Sequence, residues 1–310
     1  MKQNTTMFVS TSIANVWTDP ESPREIDHLV TSNPVDIREW LDMLNYDQRL
    51  ELCTKNLLQS QALFGQEVIV TEEREKWSKV VVPAQKSSKN AWGYPGWIPS
   101  CQLSNEGKVR SDHTAVISKP TANLYHNPDS IDFEISFLTE LPITKKGGEW
   151  LHVHTPRGER LIKTEGSAII DHKEPVSPGS GTDIVTSGEA FLGLPYLWGG
   201  MSGFGFDCSG FVYSMCKVNG YRLSRDASDQ VLDGKEVPLH ELLPGDLLFF
   251  AYEKGRGRIH HVGIYYGDGK MLHSPKTGRT VEIITLSGTI YEQELCAARR
   301  CTYDAEGFDE

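Results

Sequence analysis

The chain has 310 residues, 38% of them apolar and 24% charged, which is enough for two or three packed domains and excludes a chain dominated by disorder. Its 31 basic and 42 acidic residues leave a net charge of −11, so neither nucleic acid nor an anionic membrane surface is expected as a partner. No apolar run approaches a membrane span, and the opening MKQNTTMFVSTSIANVW lacks the apolar core of a secretory leader, so the expected location is the cytoplasm.

In chain order, FVSTSIANVWT at 8–18 is β-branched in flavour and DPESPRE turns after it. From Asn33 to about Leu58 the spacing is helical: Ile37, Leu41 and Leu44 stand at i, i+4 and i+7, and Leu50, Cys53 and Leu57 keep to one face. Pro34 suits a first helical turn. Residues 1–58 are therefore expected to form an N-terminal extension whose helices pack on the domain that follows.

From Ala62 the period changes to alternation. ALFGQEVIVTEEREKWSKVVV and AWGYPGWIPSCQL predict short strands joined by charged or glycine-containing turns. HTAVISKPTANLYHNP, ISFLTELPITKKGGEWLHVHTP and RGERLIKTEGSAIID repeat the theme. EREKWSKVVVP and KGGEWLHVHTP each place a Trp after a charged turn and ahead of an alternating strand, a weak internal repeat. It predicts two small β-barrels, at 59–105 and 106–172. KEPVSPGSGTD has linker composition, and the linker is set at 173–182. Residues 183–310 then mix helices, early, with strands, late, which is an α+β pattern.

The chemistry gathers in that last domain. Six cysteines occur with no C-x-x-C, so free thiols are expected. Cys208, in GFDCSGFVYSMCKVNGY, comes first in a predicted helix, behind a capping Asp207 and ahead of Phe211, Val212 and Met215. A helix start shifts a thiol toward thiolate, while the charge of Asp207 opposes that shift, so a basic partner is required. His260, His261 and His273 are the candidates.

Their geometry depends on one turn. If Gly267–Asp268–Gly269 is a three-residue loop, Gly263 lies opposite His273 and His261 is its diagonal neighbour on the same face. If Asp268–Gly269 is a two-residue turn, Ile264 faces His273 and His261 points away. A Cys-His-His triad needs the first register, or a bulge of equal effect. His261 would then exchange a proton with Cys208, and His273 would orient His261 from behind. The backbone N–H of Cys208 would meet the oxyanion, with a hydroxyl such as Tyr196 adding to it. A structural cysteine and a zinc site are the competing readings. Zinc sites usually show close ligand pairs, Cys208 has none nearby, and His260 and His261 face opposite ways on a strand. No metal and no cofactor are therefore expected.

GLPYLWGGMSGFGFDCSGFV, LLPGDLLFF and HHVGIYYGDGKMLHSP, taken together, resemble the NlpC/P60 family of cell-wall peptide hydrolases over about Asp183 to Ser287. The resemblance implies a papain-like α+β domain with Cys208 as nucleophile, His261 as base and His273 as third member. The upstream barrels resemble bacterial SH3-like domains. The whole order is similar to the γ-D-glutamyl-L-diamino acid endopeptidases of the YkfC and dipeptidyl-peptidase VI type. That likeness implies a cysteine peptidase releasing L-Ala-γ-D-Glu from free murein tripeptides or tetrapeptides, with L-Lys or meso-diaminopimelate on the leaving side. It further implies a requirement for a free N-terminal L-Ala and a place in peptidoglycan recycling.

Carried over residue by residue, Tyr94 in GYPGWI, Tyr196, Trp198, Asp207, Ser209 and Asp226 match substrate-binding positions. Asp207 would meet the substrate amine, which needs carboxylate and hydroxyl partners to leave water. The first barrel also supplies an acid in these enzymes, and LFGQEV offers Glu67, with Gln66 as its competitor for that place. Two other functions stay open: a cell-wall peptide binding protein with an inactive catalytic domain, and a thiol amidase or acyltransferase on the same scaffold.

Overall fold

The computed structural model describes residues 4–107, 109–175 and 177–302. The first three residues of the stretch read for a leader, one residue of the expected second barrel's span, Val176 of the expected linker and the last eight residues of the expected catalytic domain lie outside the described residues. The chain forms two compact units. One comprises Met1–Ala84, Lys89–Pro175 and Trp198–Gly205, and the other Gln85–Ser88, Val176–Leu197 and Phe206–Glu310.

In the first unit the β-branched opening forms β1 (Thr5–Val9) and β2 (Ile13–Trp17). Three helices follow, α1 (His28–Thr31), α2 (Ile37–Met43) and α3 (Tyr46–Thr54). Then come β3 (Leu58–Leu63), β4 (Glu67–Arg74), β5 (Trp77–Val82), β6 (Tyr94–Pro99) and β7 (Leu103–Ser104). All seven strands join one sheet in the order β3-β2-β6-β5-β4-β1-β7.

The stretch read as an extension thus supplies two strands of the first sheet, with the helices inserted between β2 and β3. The physical reason lies in β2, whose five residues are all buried and which is flanked by β3 and β6. The single helical stretch expected from Asn33 is two helices. The Asn45 side chain accepts from the Gln48 N–H, and the Asn45 N–H donates to Gln48 Oε1, a capping box that starts α3 afresh.

The second sheet contains β8 (His113–Ile117), β9 (Thr121–Asn127), β10 (Ser130–Ser136), β11 (Glu140–Gly147), β12 (Trp150–Thr155), β13 (Gly158–Lys163) and β14 (Ser167–Asp171). Its order, β10-β9-β13-β12-β11-β8-β14, repeats the first strand for strand. Trp77 opens β5 and Trp150 opens the corresponding β12, so the weak sequence repeat marks a repeated fold. Each sheet closes over its own core, Val68, Val80, Val82 and Ile98 in one, Ile117, Leu124, Leu151 and Ile162 in the other. Burying each such side chain is worth about 1.5–3 kcal/mol.

The remaining elements are α4 (Gly181–Glu189), the short pair β15 (Met201–Ser202) and β16 (Gly205–Phe206), α5 (Cys208–Val218), α6 (Ala227–Gln230) and β17 (Lys235–Glu236). They continue with β18 (Leu247–Ala251), the turn α7 (Tyr252–Gly255), β19 (Ile259–Gly267), β20 (Lys270–His273), β21 (Glu282–Thr285), α8 (Ile290–Glu294) and β22 (Leu295–Arg300). Six strands form a sheet in the order β17-β22-β18-β19-β20-β21, and α5 packs on β19 and on α4. Two small barrel-type β-domains followed by an α+β domain is the expected fold class. Among the described residues no helix is long and apolar enough to cross a membrane.

Candidate active site

Asp207 has extended backbone, φ −85° and ψ −179°, and its side chain accepts from the Gly210 N–H at 2.7 Å. It is therefore the N-cap, and Cys208 is the first helical residue of α5. Residues Ser209 through Cys216 behind it are all buried, while Cys208 is only half-buried. The helix is anchored by its apolar length, and Cys208 stands in its first turn.

Burial, followed by the charge of Asp207, pushes the Cys208 thiol up to about 12. The N–H of Val262, the Arg225 guanidinium and the N–H of Ser209 pull the other way without winning. The expected shift toward thiolate is thus reversed in the free protein, because desolvation of a sulfur anion outweighs the helix terminus. Burial and the Asp207 charge both favour the neutral thiol over the thiolate.

Asp207 does more than cap. Arg225, with a side chain only 1% exposed, donates from Nη2 to Asp207 Oδ2 at 2.6 Å and from Nη1 to Ser209 Oγ at 2.8 Å. Gln230 Nε2 ties the Ser209 and Ser224 carbonyls at 3.0 and 2.9 Å. Arg225 stands beside Asp226 in the sequence and carries no motif of its own. Its only signal was a cationic residue in SRDAS, and only the fold buries it against Asp207.

The two histidines come from β19 and β20. Their register pairs Ile264 with Leu272, Tyr265 with Met271 and Gly267 with Lys270, with an irregularity between Tyr265 and Gly267. The turn is the two-residue Asp268–Gly269, and Tyr266 is the extra residue of a bulge. The bulge cancels the shift that a two-residue turn imposes, so His261 and His273 share a face.

His261 Nε2 and His273 Nδ1 are 2.8 Å apart, with the rings at 75°. Gly263 makes the approach possible: a Cβ there would lie 2.4 Å from Met271 Sδ and 3.2 Å from His273 Cβ. Burial, then His273 and His260, holds His261 well below the ordinary histidine range. Burial and Arg279 bring His273 down to about 3. Both shifts favour the neutral imidazole near neutral pH. The Val262 N–H that reaches the Cys208 sulfur belongs to the residue after His261, so β19 runs beside the start of α5.

His260 faces elsewhere. It stacks on Tyr252 at 4.1 Å and meets Glu294 at 3.0 Å through Nε2. His260 is the extra residue where the pairing of β19 with β18 shifts, and its ring stays 6.4 Å from that of His261 while its Nε2 turns to Glu294. The Tyr291 ring lies 5.1 Å from His261 and 5.2 Å from His273, closing over both. No sequence signal pointed to it, since TIYEQE carries no motif.

The other expected site residues are placed as follows. Tyr196 is buried and its N–H donates to the Arg279 carbonyl at 2.9 Å. Asp226 stands at the N-cap of α6, half-buried. In the barrel unit, Tyr94 opens β6 and is buried, and its hydroxyl meets Lys89 Nζ and, at 3.5 Å, Gln59 Oε1. Trp198 is half-buried and donates from Nε1 to the Leu58 carbonyl at 2.8 Å. Glu67 is exposed at the start of β4, opposite Phe8 of β1, and β5 separates its strand from that of Tyr94. Gln66 turns inward to accept the Leu63 N–H at 2.9 Å. Gln59 and Lys89, which carry no motif, are among the polar groups that reach Tyr94. Among the described residues no group of three or more His, Cys, Asp or Glu side chains is placed to hold a metal ion.

Residues 193–300 match the NlpC/P60 family, and residues 117–169 match the YkfC SH3b2 domain. The chain is 52% identical over 293 residues to the γ-D-glutamyl-L-lysine dipeptidyl-peptidase of Bacillus subtilis, covering 94% of this chain and 98% of that protein. It is 40% identical to the protein of the same name from Bacillus cereus, over 96% of this chain and 92% of the other. The crystal structure of an NlpC/P60 family protein from Bacillus cereus superposes with a TM-score of 0.91 at 38% identity, covering 96% of this chain and 99% of that one.

Proposed function

Because the chain belongs to the NlpC/P60 family and carries a YkfC-type SH3b domain, we propose that it is a cysteine peptidase that cuts the γ-D-Glu–diamino acid bond of murein peptides. The observation that carries the mechanism is the 2.8 Å His261–His273 pair on β19 and β20, with the Cys208 thiol at the helix end that β19 packs against.

Cys208 Sγ attacks the γ-carbonyl of D-Glu as its proton passes to His261, so the charged pair forms only with the bond. The backbone N–H of Cys208, at the positive end of α5, meets the oxyanion, and the Tyr196 hydroxyl adds to it. His261 returns the proton to the departing amine of the diamino acid, leaving a thioester on Cys208. Water, deprotonated by His261, then releases L-Ala-γ-D-Glu.

In the substrate reading, Asp207 and Ser209 bind the free ammonium of L-Ala. The amine adds to a carboxylate that Arg225 already orients, so its position is set before binding. Tyr196 and Asp226, and by the same family pattern Tyr94, Trp198 and Glu67, contact the peptide. A demand for a free N-terminus restricts the enzyme to released peptides, which suits recycling in the cytoplasm.

The test offers L-Ala-γ-D-Glu-L-Lys and its N-acetylated form to wild type and to Cys208→Ala. Cleavage of the free peptide alone, lost in the variant, is the expected result. Equal residual activity in both proteins would favour a binding protein, and equal use of both peptides would favour an amidase without the amine requirement.

A further inference from the structure

Resting on the assignment of Cys208, His261 and His273 as the reacting group, we propose that Glu282, clamped by Arg279, is a positioning residue that selects the productive tautomer of His273 and, through it, of His261.

A single proton lies between His261 Nε2 and His273 Nδ1. A neutral imidazole carries one N–H and one lone pair, so two arrangements exist. With the proton on His261 Nε2, the Nδ1 of His261 holds a lone pair and can accept the thiol proton. His273 must then carry its own proton on Nε2. With the proton on His273 Nδ1, the His261 proton sits on Nδ1, and the base is blocked. What faces His273 Nε2 therefore decides whether His261 can act.

That atom is buried and has no hydrogen-bond partner among the described residues. The carboxylate of Glu282 lies 3.6 Å from it, just outside hydrogen-bond distance. The approach is built into the sheet, because His273 and Glu282 are direct cross-strand partners on β20 and β21. Arg279 Nη2 holds both carboxylate oxygens of Glu282, at 2.9 and 2.6 Å. The other ring nitrogen faces His261, and Tyr291 packs against the ring at 5.2 Å. A carboxylate can only accept, so it favours the proton on His273 Nε2, which is the productive arrangement. A closure of a few tenths of an ångström would make the hydrogen bond, and such contacts commonly tighten only when substrate is bound.

The test has two arms. In Cys208→Ala protein labelled with ¹⁵N-histidine, the imidazole nitrogen shifts of His273 should report the Nε2–H tautomer. Adding Glu282→Gln, whose amide can donate to Nε2, should move them toward Nδ1–H. In otherwise wild-type protein, Glu282→Gln should lower kcat about 10- to 100-fold with KM within about twofold, and Glu282→Asp should recover part of the loss. Arg279→Met, which frees the carboxylate without removing it, should give a smaller loss of the same kind. Thermal unfolding checks that each variant is folded. An unchanged His273 tautomer in Glu282→Gln, or an unchanged kcat, overturns the proposal. If wild type cleaves none of the peptides while the tautomer still depends on Glu282, the enzymatic reading fails and the positioning role stands.

Discussion

Two buried carboxylates, one in each unit, are held in the same way and do different work. Asp27, fully buried in the barrel unit, accepts from Arg24 Nη2 at 2.9 Å and from the Trp40 indole at 2.9 Å. It ties α2 to the turn ahead of α1. Asp207, in the other unit, accepts from Arg225 at 2.6 Å and from the Gly210 N–H at 2.7 Å. Its capping bond starts α5 at Cys208. A buried Asp–Arg pair is thus no functional signal by itself. The difference lies in what the pair positions, a tryptophan in one case and a sulfur in the other. The leftover polar atoms differ likewise. Both units leave amide and hydroxyl atoms, such as Gln102 Oε1 in the barrel unit and Gln230 Oε1 and Ser214 Oγ in the other, but among the described residues only the unit with Cys208 leaves a titratable one, the ring nitrogen of His273.

The comparison is open to direct attack. The largest effect is expected from Cys208→Ala, which should cut turnover of the murein tripeptide by at least about four orders of magnitude. Asp27→Asn should leave kcat unchanged, and chromatographic assay of the products measures both. Next comes Arg225→Met, which strands the buried Asp207 and should cost about 3–5 kcal/mol of stability by urea unfolding, together with a fall in kcat. Arg24→Met should cost less, about 1–3 kcal/mol, since Asp27 keeps its indole donor, and kcat should hold. A loss of kcat in Arg24→Met equal to that in Arg225→Met would erase the distinction between the two pairs.

Smaller again, Gly263→Ala should force Met271 and His273 apart and lower kcat by about 100-fold, with the protein still folded by circular dichroism. The mildest effect is in pH. The acid form of His261 is disfavoured, so the neutral form that the proposed mechanism needs persists below the ordinary histidine value of 6.5. The kcat should therefore fall by less than about twofold between pH 7.5 and 6, and decline only in more acid solution. A half-maximal rate at pH 6.5 or above would show that burial does not govern the base.

Much of the site was legible because its signals are local. Asp207 before Cys208 with apolar residues at helical spacing marks a helix start. His261 and His273 flank a glycine turn at a spacing that a hairpin can bring together. Trp77 and Trp150 each follow a charged turn, and that pattern announced the two sheets of equal order. Other features depend on distant chain segments. The opening residues 5–17 looked like part of an extension because nothing nearby in sequence shows that β2 lies beside β3 and β6. Gln59, Lys89, Arg225, Glu282 and Tyr291 carry no motif, and the contacts Gln59–Tyr94, Arg225–Asp207, Glu282–His273 and Tyr291–His261 join residues 9 to 35 positions apart only through packing.

By itself the sequence determined the periods, the caps and the identity of the groups that can react, since these follow from side chains a few residues apart. The tertiary structure decided the rest. It set the bulge at Tyr266 that puts both imidazoles on one face, and the pairing of Arg225 with Asp207. It also surrounded the thiol with burial and the Asp207 charge, which favour its protonated form. Register and desolvation depend on what is close in space, and the charge state of a buried sulfur is a property of its surroundings.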